Sequence, residues 1–167
     1  MPRAVRIHQT GGPEVLTYED VDVGEPGPGE IRIRHTAIGL NFIDIYERTG
    51  LYSVPLPAVL GREAAGVVEA VGSKVKNLTV GDRVAYTGGL SGAYSEVRLF
   101  PADRAVRLPD EIDDRLAAAI MLKGLTAQFL LRRTYRVRKN DVVVIHAAAG
   151  GVGSIAVQWA KHLGAKV

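Results

Sequence analysis

The residues with the clearest chemical potential form a glycine-rich stretch near the end of the chain. A β-branched apolar run at 142–145 leads into the sequence HAAAGGVG at 146–153 and then into an amphipathic segment. Ala148, Gly150 and Gly153 occupy the three spaced positions of a G-x-G-x-x-G fingerprint, with alanine in the first. Gly150 would let the backbone approach a pyrophosphate, and Gly153 would let a helix pack on the strand. The pattern predicts a dinucleotide site whose helix N-terminus faces the phosphate.

The strand and helix signals on either side favour this interpretation over an ordinary tight turn. The residue that selects NAD or NADP is expected about 20 residues beyond the glycines. The chain ends at Val167, where residues 165–167 have the composition of a second strand. A complete doubly wound domain needs several further βα units. We therefore expect either a fragment or a chain that is not an autonomous dehydrogenase.

Composition excludes several classes of protein. The chain has 167 residues, of which 47% are hydrophobic, and no cysteine, which excludes disulfides and thiolate metal sites and fits a cytoplasmic protein. No apolar stretch has the length of a bilayer span, so no membrane partner is expected. The net charge of +3 suits an anionic cofactor, although a mixed solvated surface explains it equally well. The basic run at 132–139 fits a helix C-terminus, so no nucleic-acid partner is expected.

The first part of the chain has the pattern of a small β-barrel. Strands are predicted at 4–9, 30–37, 64–71, 83–86 and 94–100. Short strands at this spacing, separated by Pro- and Gly-rich turns, favour a barrel over a parallel sheet. A helix is expected over 41–49, with Asn41 as its N-cap.

After Pro109 the pattern becomes helical. Two helices, at 113–121 and 125–135, are predicted on either side of a break at Lys123-Gly124. They would carry the chain to the strand at 142–145. We therefore predict two domains, a β domain at 1–112 and, at 113–167, connecting helices with the start of a dinucleotide-binding domain.

With these residues in view, the chain resembles the medium-chain dehydrogenase/reductase superfamily, and within it the zinc-free quinone oxidoreductases related to zeta-crystallin. The motifs that carry the resemblance run in order along the whole chain: GGPEVL at 11–16, GLNFIDIY at 39–46, GREAAG at 61–66, VGDRV at 80–84, LKGLTA at 122–127 and HAAAGGVG at 146–153. The resemblance implies a combined α+β and α/β fold. A GroES-like β-barrel catalytic domain would be followed by the first part of a Rossmann dinucleotide-binding domain.

Two departures from the zinc-dependent branch bear on the chemistry. Asn41 stands where alcohol dehydrogenases of the superfamily place a zinc-ligand cysteine, and Gly61-Arg62-Glu63 stands where they have Gly-His-Glu. The cysteines of a structural zinc lobe are missing too, and the four histidines lack ligand spacing. Neither zinc nor another metal is expected.

The resemblance implies an NADPH-dependent quinone reductase. Without a Lewis acid a simple ketone is hard to polarise, whereas a quinone is electron-poor and accepts hydride readily. NADPH is preferred over NAD only by the resemblance, and a homodimer is implied for the full-length protein but doubtful for this chain. The alternatives are a zinc-free enone or alkenal double-bond reductase, and a non-catalytic structural or nucleic-acid-binding use of the scaffold.

The resemblance also implies the site residues. The catalytic candidates are Asn41, Tyr46 and Tyr52, the last as a wall of the quinone pocket. The cofactor-binding candidates are Asn41, Phe42, Tyr46, Thr126, Ala149, Gly150, Gly151, Val152 and Gly153. The residues alone leave other roles open, since Asn41 could be only a helix cap, Tyr46 only a packed aromatic and Thr126 only helix filler.

Overall fold

The computed structural model describes residues 1–89 and 91–167. They form two compact units, Met1–Ala119 (unit 1) and Ile120–Val167 (unit 2). The predicted domain boundary lies after residue 112. The two units instead divide after Ala119, inside the helix that spans Asp114–Phe129. The extent of the two domains therefore stays a prediction.

Unit 1 is a β unit. Its strands are β1 Arg3–Ile7, β2 Thr17–Asp20, β3 Glu30–Gly39, β4 Ala58–Val59, β5 Glu63–Val71, β6 Arg83–Thr87, β7 Val97–Pro101 and β8 Val106–Arg107. They pair antiparallel in two sheets, ordered β2-β1-β4 and β7-β3-β5-β6-β8. A bridge between Ala4 and Ser95 links the first sheet to the segment before β7.

The alternation of apolar and charged residues in β3 determines which face is buried. Ile31 and Ile33 are fully buried in the core, whereas Arg32 and Arg34 lie on the other face and form ion pairs with Glu69 of β5. A register slip of one residue would put the arginines into the core. The strand predicted over 30–37 is confirmed, with one face buried and the other solvated.

The two helices predicted on either side of Lys123-Gly124 are one helix, so the predicted break is wrong. Helix α2 spans Asp114–Phe129 without interruption and continues as a π-helical turn over Leu130–Thr134. A glycine inside a helix costs only about 1 kcal/mol. Burial of Ala127 and Leu131 in the core of unit 2 offsets that cost.

Gly124→Ala should raise the free energy of unfolding by about 0.5–1 kcal/mol, because alanine restricts the unfolded chain and favours the helix. A Cβ atom at Gly124 would meet no heavy atom within 4 Å. Urea denaturation followed by circular dichroism measures the change. A destabilised variant would contradict an unbroken α2.

The predicted βα unit lies in unit 2, but its strand is reduced to a bridge. Of residues 142–145, predicted as a strand, only Val142 pairs, in a parallel bridge with Lys166. The Val143 N–H donates to the Lys166 carbonyl at 2.8 Å, and the Lys166 N–H donates to the Asp141 carbonyl at 2.8 Å. Val142 and Val144 are exposed.

Helix α3 spans Gly151–His162 and follows the glycine-rich loop, as predicted. Its buried residues Ala156 and Ala160 pack with Ala127 of α2 in the core of unit 2. None of the helices in the described part of the chain is long and apolar enough to cross a bilayer.

Candidate active site and dinucleotide loop

Asn41 is the N-cap of helix α1, which spans Phe42–Thr49, and it forms a capping box with Asp44. The backbone N–H of Asn41 donates to Asp44 Oδ2 at 2.9 Å. The side-chain Nδ2 donates to Glu63 Oε1 at 2.8 Å. Asn41 is 8% exposed, so its amide is held almost entirely inside the protein. The predicted N-cap position is confirmed, and the amide is directed toward a residue on another strand.

Glu63 is a fully buried carboxyl at the start of β5. It pairs in register with Gly39 at the end of β3. A Cβ atom on Gly39 would collide with the Glu63 side chain and with the carbonyl of Ala118. Glycine at position 39 thus makes the space that the carboxyl fills.

Arg62 forms an ion pair with Glu47 of α1, at the position where the resemblance places a histidine zinc ligand. Arg62 Nε donates to Glu47 Oε1 at 3.0 Å, and Ser91 Oγ donates to Glu47 Oε2 at 2.7 Å. Glu47 is fully buried. Because both carboxylate oxygens have partners, this buried charge is compensated.

Asp44 is the third buried carboxyl near α1. Its Oδ2 accepts from the Tyr94 hydroxyl at 2.8 Å as well as from the Asn41 N–H, whereas Oδ1 is buried without a hydrogen-bond partner among the described residues. Burial raises the pKa of Asp44, and burial together with the hydrogen bond to Asp44 raises the pKa of the Tyr94 hydroxyl. The pair therefore favours protonated forms.

Three aromatic rings, Phe42, Tyr46 and Tyr52, form a cluster on and just after α1, which we call the aromatic cluster. The ring centroids of Tyr46 and Tyr52 are 5.4 Å apart in an edge arrangement, and those of Phe42 and Tyr46 are 6.2 Å apart. Phe42 is 73% exposed and Tyr52 is 50% exposed. Large exposed aromatic surface of this kind is typical of a binding site for an apolar, planar molecule.

The glycine-rich loop makes a tight turn before α3. Ala147 has a φ of 50°, and its carbonyl accepts from the Gly150 N–H at 2.9 Å. Gly150 is the N-cap of α3 and, like Gly151, is exposed. The first N–H groups of a helix have no partner within it, so this turn offers donors to an anion.

At two glycines of the loop the backbone limits the space for a side chain, strongly at Gly153 and less so at Gly150. A Cβ atom on Gly153 would collide with the Ala147 carbonyl and lie 2.9 Å from Ala148 Cα. One on Gly150 would lie 3.2 Å from the Ala147 carbonyl oxygen. The left-handed residue of the turn is Ala147, which the sequence did not reveal. The backbone packing of the turn therefore requires glycine at position 153, and the pyrophosphate contact of the loop stays a prediction.

Thr126 lies in α2, half-buried, and its Oγ1 donates to the Leu122 carbonyl one turn earlier at 2.7 Å. Threonine hydroxyls inside helices commonly form this hydrogen bond to the carbonyl four residues earlier. The cofactor contact implied for Thr126 stays a prediction. Lys123 lies on the same helix, and its aliphatic side chain packs close to Gly151. A Cβ atom added to Gly151 would lie 2.9 Å from Lys123 Cδ.

In unit 1 the fold brings Asn41, Phe42, Tyr46 and Tyr52 together on and next to α1. In unit 2 it brings Ala149 and the loop residues 150–153 together, and Thr126 lies on α2. Sequence reasoning missed the hydrogen-bonding roles of Glu63, Asp44, Glu47 and Tyr94. One signal was available for Glu63, an acidic residue that opens the apolar run EAAGVV.

Comparison with known proteins agrees with this architecture. Residues 27–110 match the model of the alcohol dehydrogenase GroES-like domain. The chain belongs to this family. The predicted fold class and the resemblance to quinone oxidoreductases of the medium-chain superfamily are thereby confirmed, since the relatives that match along the full chain are members of that group.

Three relatives illustrate the match. The chain is 56% identical to a quinone oxidoreductase of Pseudomonas aeruginosa and 51% identical to a 2-haloacrylate reductase of a Burkholderia species, in each case over 100% of this chain and 52% of the relative. The crystal structure of an Escherichia coli quinone oxidoreductase complexed with NADPH superposes with a TM-score of 0.95 at 51% identity, over 98% of this chain and 51% of that one. The chain of this GroES-like family member thus spans about half the length of the relatives it matches.

In this GroES-like unit, the positions of two implied zinc ligands hold an amide and a guanidinium, at Asn41 and Arg62. Within residues 1–89 and 91–167, no three His, Asp or Glu side chains are grouped so as to hold a metal ion. The expected absence of zinc stays a prediction.

Proposed function

We propose that this protein is an NADPH-dependent quinone reductase that works without a metal. The observation that carries the proposal is the Asn41 amide, held on buried Glu63 at the position of a zinc-ligand cysteine and next to the aromatic cluster. An arginine paired with Glu47 occupies the second ligand position. Such a site can orient an acceptor but has no Lewis acid to polarise it.

The residues of the loop would hold the cofactor. Gly150 and Gly151 allow the pyrophosphate to approach the backbone, and the first N–H groups of α3 would donate to its oxygens. Bound there, the nicotinamide dinucleotide supplies a hydride. Asn41, Phe42, Tyr46 and Thr126 are the proposed contacts to its nicotinamide end, in line with the resemblance, and the NADPH complex of the Escherichia coli relative supports the choice of cofactor.

A quinone suits the remaining chemistry. The faces of Tyr46, Tyr52 and Phe42 can stack on a planar ring. The quinone gains one hydride and one proton and becomes an aromatic hydroquinone, so the protein needs to orient the ring and exclude water rather than polarise a carbonyl. Asn41 has a second amide hydrogen for a neutral hydrogen bond to substrate or cofactor.

A second candidate is reduction of an activated carbon–carbon double bond. It is favoured by the 2-haloacrylate reductase relative, whose name describes that chemistry and whose identity is 51%. An enone differs from a quinone because protonation must occur at carbon. The two candidates therefore predict different acceptors for one site.

The protein in its natural length should oxidise NADPH with benzoquinone, faster than with an enone of similar size, and EDTA should leave the rate unchanged. Loss of NADPH absorbance with each acceptor measures this. Preference for the enone would select the second candidate. Stoichiometric zinc, with activity lost on chelation, would overturn the metal-free site.

A cytoplasmic location and a homodimer of the full-length protein belong to the same proposal. The homodimer is supported by the resemblance alone. The cytoplasmic location is supported by the resemblance and by the absence of cysteine. Gel filtration of the natural protein and cell fractionation would test them.

A further inference from the structure

We propose that Glu63 is a positioning residue, which sets the orientation of the Asn41 amide toward the ligands of the active site. This inference rests on the proposed function. The Glu63 carboxylate accepts from Asn41 Nδ2 at 2.8 Å, so the amide carbonyl must point away from Glu63. The hydrogen bond thereby decides which atoms of Asn41 face a bound molecule.

The fold makes a specific place for this carboxyl. Glu63 is fully buried, and burying a carboxylate is costly unless its oxygens are paired. The neighbouring strand carries glycine at position 39, where any side chain would collide with Glu63. If this region were only part of an apolar core, two hydrophobic residues at positions 39 and 63 would fill it. The structure instead has a glycine at position 39 and a buried acid at position 63, and Asn41 is a hydrogen-bond partner of that acid.

Asn41 shows the other side of this arrangement. An asparagine at an N-cap normally accepts from the first turn of its helix, which is a favourable contact. Here Asn41 forms a capping box with Asp44, whose carboxylate accepts from the Asn41 backbone N–H at 2.9 Å. The Nδ2 group takes no part in the capping box, and Glu63 holds it away from the helix.

Glu63→Gln keeps the size of the side chain but lets an amide face Asn41, so that Asn41 can turn its carbonyl inward. We expect kcat/KM for benzoquinone to fall between about 10-fold and 100-fold in the natural full-length protein, as for other small misplacements of reacting groups. The matched control is Glu69→Gln, the same change on the same strand, at a residue that forms ion pairs with Arg32 and Arg34. Its kcat/KM should equal that of the parent.

A double-mutant cycle separates positioning from general structural support. If Glu63 acts through Asn41, then Glu63→Gln should cause no further loss of kcat/KM in an Asn41→Ala background. Equal additional losses in both backgrounds would overturn the inference. So would a Glu63→Gln protein with the parent's kcat/KM.

The orientation of the amide can be observed without turnover. In the isotope-labelled protein, the side-chain NH2 signal that disappears in Asn41→Ala should exchange slowly with solvent in the parent and rapidly in Glu63→Gln, with thermal unfolding as a check that each variant is folded. An unprotected Asn41 amide in the parent would overturn the inference. A parent that does not reduce quinones but keeps the protected amide would refute the proposed function and leave the hydrogen bond intact.

Discussion

Replacing Gly153 with valine should lower the affinity for NADPH by at least about 100-fold, which corresponds to about 2.7 kcal/mol of binding free energy. A Cβ atom at this position would collide with the Ala147 carbonyl and lie 2.9 Å from Ala148 Cα. Since both contacts are to backbone, the turn must shift and carry the N-terminus of α3 away from the pyrophosphate. Titration of the protein with NADPH, followed by fluorescence, measures the loss.

The matched control for Gly153→Val is Gln158→Val, an exposed position on the same helix. It should bind NADPH as the parent does. Gly150→Val and Gly151→Val should also weaken binding, by placing bulk where the phosphate approaches, while unit 1 stays folded. Unchanged affinity in all three glycine variants would remove the loop from the cofactor site.

Acidification from pH 7 to pH 4 should destabilise the protein by about 3 kcal/mol through His35 alone. Burial lowers the pKa of His35 from 6.5 to about 4. Above pH 6.5 the imidazole is neutral in both the folded and the unfolded chain. Between pH 6.5 and pH 4 only the unfolded chain binds the proton, so the free energy of unfolding falls as the pH falls through this window.

Burial keeps the folded imidazole neutral, whereas its hydrogen bond to the Ser95 carbonyl acts in the opposite direction and raises the pKa. Its Nδ1 lies 2.6 Å from the Ser95 carbonyl oxygen and its Nε2 lies 2.8 Å from the Tyr86 hydroxyl. A neutral ring can donate to the first and accept from the second. The charge of Arg98, which lies against Tyr86, further lowers the pKa of His35. The raised pKa of Asp44 works in the opposite direction, because protonation of Asp44 stabilises the folded state.

His35→Gln isolates this contribution, since glutamine does not titrate in this range. Urea denaturation at pH 7 and pH 5 should show a smaller loss of stability in the variant than in the parent. His162→Gln, the same change at an exposed histidine, should follow the parent. Identical pH dependence in all three proteins would show that His35 does not couple stability to pH.

Local patterns predicted the elements whose signals depend on near neighbours. The alternation in β3, the N-cap position of Asn41 and the start of α3 after Gly150 are all set by side chains a few residues apart. The break predicted at Lys123-Gly124 failed because burial of Ala127 and Leu131 outweighs the weak helix propensity of one glycine. The strand predicted at 142–145 is reduced to a bridge between Val142 and Lys166.

The sequence by itself determined the family of this chain, the glycine-rich turn before α3 and the residue types at the two positions compared with zinc ligands, since a contiguous motif carries each of these. Only the tertiary structure decided that Glu63 is buried against Gly39 and bonded to Asn41, and that Asp44 meets Tyr94. These partners lie far apart in the chain and meet through antiparallel pairing of β3 with β5 and through the packing of α1. The preference of asparagine for an N-cap is a local property, whereas the carboxyl that accepts from its Nδ2 lies on β5.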